Sequence, residues 1–92
     1  MRINTERGIL TDFVVQYETP TSELSHEHVA VVRYDGSHHR AHRDLLDVRG
    51  RTVRKSWLPE HFTFSEAFGF AVADIEQNWP RYRQDFLLRS RG

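Results

Sequence analysis

At Pro59 the hydrophobic period of the chain changes. Upstream, residues 8–18 (GILTDFVVQYE) place Ile9, Thr11, Phe13, Val15 and Tyr17 on alternate positions, the period of a β-strand. Downstream, Phe64, Ala67, Phe68, Ala71, Val72, Ile75 and Trp79 recur at three- and four-residue spacing, which makes one apolar stripe along an α-helix. Glu66, Asp74, Glu76 and Gln77 fall outside that stripe. A stripe of this kind covers a sheet, so the chain reads as α+β, a three- to four-stranded antiparallel meander followed by a C-terminal helix.

Turn signals divide the strand region. His28–Tyr34 (HVAVVRY) is β-rich and runs into Asp35-Gly36, a hairpin signal because glycine tolerates positive φ and aspartate hydrogen-bonds its own turn. A strand over about His39–Val48 and a fourth over Thr52–Trp57 follow, with a turn at Gly50 between them. Residues 19–25 (TPTSELS) read as a loop. The helix start is marked by Thr63-Phe64-Ser65-Glu66, a capping box. Pro80 lacks the amide that a helix interior needs, so the helix is expected to end or kink near Asn78 and Trp79, with Pro80 opening a second short helix. Trp57 is expected in the same apolar core as the helix stripe.

The length of 92 residues fits one domain, 1–92, with a thin core. Part of its apolar surface is therefore expected to be covered by a second copy or a partner. The absence of cysteine excludes disulfides, thiolate chemistry and sulfur-containing zinc sites. Neither a signal-peptide stretch nor an apolar run of about 18 residues is present, so a cytoplasmic protein that does not enter a membrane is expected.

Net charge is zero, yet it is distributed in blocks: residues 1–32 carry −3, 33–55 +4, 56–80 −4 and 81–92 +3. The basic blocks are built almost wholly from arginine, whose planar fork suits bidentate contact with phosphate or carboxylate. Residues 33–44 (RYDGSHHRAHRD) concentrate Arg33, Arg40, Arg43, His38, His39, His42, Asp35 and Asp44 around the predicted turn. With a two- or four-residue loop, Val29, Val31 and Arg33 share a sheet face with Arg40, His42 and Asp44. Ala30, Val32 and Tyr34 then share the other with His39, Ala41 and Arg43.

Such a cluster has the parts for acid–base chemistry on a phosphodiester. His42 and His38 supply base and acid, Asp44 orients the ring, and Arg33, Arg40 and Arg43 bind phosphate and offset developing charge. The plainer reading is a solvated strand face, where cross-strand ion pairs contribute about 0.2 to 1 kcal/mol each. His26-Glu27-His28 offers two imidazoles to a divalent ion, but nothing fixes a third ligand. No metal or other cofactor is therefore expected.

Arg33-Tyr34-Asp35, the His38-His39 pair and His42-Arg43-Asp44 make the chain resemble a group of small prokaryotic β-meander-plus-helix proteins. The pattern is also distantly similar to that of the TumE-type toxins of toxin–antitoxin pairs. The likeness spans roughly residues 8–48 and a helix of similar placement. Gly36-Ser37 stands where the toxin-like sequences often carry a longer glycine-rich insertion. The resemblance implies a site at Arg33, Tyr34, Asp35, His38, His42 and Asp44, an RNA substrate and an antitoxin partner. A rival expectation is a non-catalytic homodimeric interaction module that binds a protein or a nucleic-acid backbone through its arginine-rich face.

Overall fold

The computed structural model describes residues 1–21, 26–36 and 40–90. These form a five-stranded antiparallel sheet in chain order, β1 (Arg2–Glu6), β2 (Ile9–Pro20), β3 (His28–Gly36), β4 (His42–Leu46) and β5 (Thr52–Trp57), followed by one helix, α1 (Phe64–Ser90). The architecture is α+β, with one strand more than the apolar pattern predicts. β1 pairs with β2 through a tight reversal at Arg7 and Gly8, which both take positive φ (53° and 78°), as a two-residue hairpin turn requires. Every residue of β1 is exposed, so no apolar alternation announces it. β2 continues through Thr19 and Pro20, where a loop is predicted from the composition.

The capping box forms as expected. The Thr63 amide donates to Glu66 Oε1 at 3.0 Å, and the Glu66 amide donates to Thr63 Oγ1 at 3.1 Å. From there α1 runs unbroken for 27 residues, through Pro80, so the predicted break is corrected. Asp74 accepts from Asn78 one turn on (2.8 Å) and from Tyr82 two turns on. The second of these bonds spans the proline and links the turns that its missing amide would loosen. At about 1.5 Å per residue the helix is about 40 Å long, matching the 43 Å long axis of the molecule.

α1 lies across β2 and β3. Its N-terminal half packs Ala67 and Ala71 against Phe13, Val15, Tyr34, Ala41 and Leu58. Phe13 is wholly buried and meets Phe64 and Phe68 edge-on at 6.3 and 5.6 Å. The C-terminal half buries Tyr82 and Phe86 against Val31 and Val32. Leu87 and Leu88, beside Phe86, remain exposed.

Gly36 serves differently from its predicted role. It ends β3, buried opposite Phe13, and an added Cβ would lie 2.1 Å from the Phe13 ring. Close approach of that ring, rather than positive φ in a turn, is what requires glycine here. The turn at Gly50 does use positive φ (79°), and Asp47 Oδ1 accepts from the amides of Arg49 and Arg51, both at 2.9 Å.

Candidate functional site

The β3–β4 register pairs Arg33 with Asp44, Tyr34 with Arg43, and Asp35 with His42. These odd-sum pairs are the parity predicted from the sequence. Extending them across β2 and β5 gives two ladders on the sheet face turned away from α1. One runs Val14, Asp35, His42, Trp57 and the other Gln16, Arg33, Asp44, Lys55. The intervening ladder, Val15, Tyr34, Arg43, Ser56, faces the helix.

On the face away from α1, His42 and Asp44 are two positions apart on one strand, and the imidazole reaches along it. His42 Nε2 lies 3.2 Å from Asp44 Oδ2, with 15% and 11% of the two side chains exposed. When the neutral ring donates Nε2–H to that carboxylate, Nδ1 carries the lone pair and is the basic nitrogen. Asp44 Oδ1 and Asp35 Oδ1 are buried with no hydrogen-bond partner among the described residues. Arg33 Nε donates to Gln16 Oε1 at 2.8 Å, and Arg40 Nε donates to the Leu58 carbonyl at 2.8 Å.

Trp57 is a correction. It lies on this face and not in the helix-covered core, 54% exposed, with its ring centroid 5.2 Å from that of His42. The Arg40 guanidinium and the Lys55 ammonium approach the indole at 5.7 and 5.6 Å. The reason is the parity at the end of β5: Leu58 is buried under the helix, so its neighbour Trp57 points the other way.

The sequence-derived site therefore divides. Arg33, Asp35, Arg40, His42 and Asp44 share the face away from the helix, while Tyr34 and Arg43 lie on the helix face. His38 and His39 lie outside the described residues, so the acid assigned to His38 has no described position. Tyr34 is fully buried and donates its hydroxyl to Asp74 Oδ2 at 2.6 Å. Arg43 Nη1 donates to the Tyr82 hydroxyl at 3.0 Å, and the guanidinium sits 5.9 Å from that ring. Arg43 is thus tied up in a network that joins sheet to helix, and the phosphate-binding role expected for it is not compatible with the position of Arg33 on the opposite face.

Asp74, read from the helix pattern as lying outside the buried stripe, is the hub of that network. Burial acts to raise its pKa, but the bonds donated by Tyr34, Tyr82 and Asn78 outweigh it and hold the carboxyl below its ordinary value. Burial, and then the adjoining Asp74 carboxylate, push the hydroxyls of Tyr34 and Tyr82 above the ordinary tyrosine value.

Among the described residues no three His, Asp or Glu side chains are grouped to hold a metal ion. No helix among them is long and apolar enough to cross a membrane. Neither curated proteins nor solved structures provide a match to the chain. Residues 1–91 match the family model described as a domain of unknown function, DUF7718, and the chain belongs to that family.

Proposed function

We propose that this member of the DUF7718 family is a small toxin-like protein of a toxin–antitoxin pair that acts on RNA by metal-independent phosphodiester chemistry, with His42 as its acid–base residue. The observation that carries the reading is the presence of the His42–Asp44 pair, Arg33 and Arg40 on one sheet face. Arg33 and Arg40 bind the phosphate and offset the charge that builds on its oxygens as phosphorus becomes five-coordinate. His42 Nδ1 takes the proton of a ribose 2′-hydroxyl, O2′ bonds to phosphorus, and the bond to the 5′-oxygen of the next nucleotide breaks. That oxygen leaves with a proton, a donation assigned to His38, so the products are a 2′,3′-cyclic phosphate and a 5′-hydroxyl. Asp44 stabilises the imidazolium formed in between. Every transferred atom comes from the RNA and two imidazoles, which is why the scheme calls for no metal.

Such a protein works in the cytoplasm, as a homo-oligomer, and is held in check by an antitoxin. Overexpression of the wild type is expected to arrest growth, and His42→Ala to relieve the arrest. Equal tolerance of the two would sink the reading. A second reading is a non-catalytic homodimeric module using the same face to bind a protein or a nucleic-acid backbone. In its favour, only 15% of the His42 side chain is exposed. On that reading His42→Ala leaves partner capture unchanged, and binding to RNA falls steeply with salt as phosphate contacts release counterions.

A further inference from the structure

We infer that the Trp57 indole is a base-stacking platform, and that the nucleic acid this face takes is single-stranded RNA. The inference rests on the RNA-directed part of the function proposed above, and not on the cleavage step.

Trp57 is a large apolar ring left 54% exposed on the polar face of the sheet. Its surroundings select the kind of ligand that covers it. Arg40 and Lys55 stand within cation–π distance of the ring, and Arg33 lies in the neighbouring ladder beside Lys55's partner Asp44. The carboxylates that β3 and β4 present on this face are recessed: Asp44 is 7% exposed, and Oδ1 of both Asp35 and Asp44 is buried. Lys55 is exposed, with its cation over the indole, whereas Asp44 is buried. A planar apolar surface with two cations over it matches a nucleobase with its flanking phosphate. On this inference the lysine moves from the ring to that phosphate as the base takes its place.

In a duplex the bases are stacked on one another and do not offer a face to the indole. Stacking on Trp57 therefore selects unpaired RNA. It also brings a ribose-phosphate unit next to His42, whose ring centroid is 5.2 Å from the indole.

The test uses the full-length chain and an oligouridylate of about ten nucleotides carrying 2′-O-methyl riboses, which cannot undergo attack by its own 2′-oxygen. The chain has two tryptophans, so Trp79→Phe leaves Trp57 as the sole indole. Saturable quenching of its fluorescence by the single strand is expected, with no comparable quenching by a duplex of equal length. In the otherwise wild-type chain, Trp57→Ala is expected to weaken binding roughly tenfold, and Trp57→Phe to restore most of it, with the salt dependence unchanged. Circular dichroism of each variant establishes that the sheet is intact. Unchanged affinity in Trp57→Ala, equal quenching by the duplex, or no binding at all overturns the inference. Quenching that persists while wild type and His42→Ala are equally tolerated in cells overturns the cleavage reading alone and supports the stacking platform.

Discussion

Asp74 accepts from Tyr34, Tyr82 and Asn78 and so ties the middle of α1 to β3. Its folded-state pKa lies below its ordinary value. The stability it contributes is therefore complete above the ordinary carboxylate range and disappears as pH falls through the lowered folded-state value. In Asp74→Asn that acid dependence should be shallower, and stability at neutral pH should fall by about 1–3 kcal/mol because two phenols lose a charged acceptor. Urea unfolding of both proteins across the acid range measures it, and parallel acid limbs would contradict the assignment. Asp74 was hard to find in the sequence because an aspartate flanking an apolar helix stripe looks like a solvated residue. Its partner Tyr34 is 40 residues distant along the chain. His42, Asp44 and Arg33 were legible because strand parity alone fixes their common face. Arg43, between His42 and Asp44 in sequence, was separable from them on the same ground.

At the scale of elements, what could be read followed how far each element depends on apolar periodicity. β2, β3 and α1 carry buried alternation or a buried stripe and were readable. β1 buries nothing, and its one cue was a glycine at a two-residue reversal. The helix boundary at Thr63 was readable because the capping box is local chemistry. Its persistence past Pro80 was not, because the compensation comes from packing of Tyr82 and Phe86 and from the Asp74–Tyr82 bond. The proline still lacks an amide for the carbonyl one turn back and crowds it. Pro80→Ala should therefore stabilise the protein, by up to about 3 kcal/mol. A rise in the urea midpoint with an unchanged slope is expected, whereas a fall would show that the proline shapes a bend the fold requires.

Over the whole molecule, one helix along a five-stranded sheet leaves the two faces with different roles. The face under α1 holds the core and the Tyr34–Asp74–Tyr82–Arg43 network. The other holds the histidine–aspartate pair, its arginines and the exposed indole. The strand pairing and the buried network hold β4 from both sides, and β4 presents His42 and Asp44 to one side and Arg43 to the other. The zero net charge conceals this division, since the basic block of residues 33–55 supplies both faces. The role proposed for His42 is acid–base chemistry on RNA. Its most direct test is incubation of the purified protein with a single-stranded RNA in the presence of a metal chelator, scoring 2′,3′-cyclic phosphate ends. The wild type should produce them and His42→Ala should lose at least about a hundredfold in rate, the usual scale of a general acid–base group. Cleavage by His42→Ala at the wild-type rate, or no cyclic phosphate from the wild type, would contradict it.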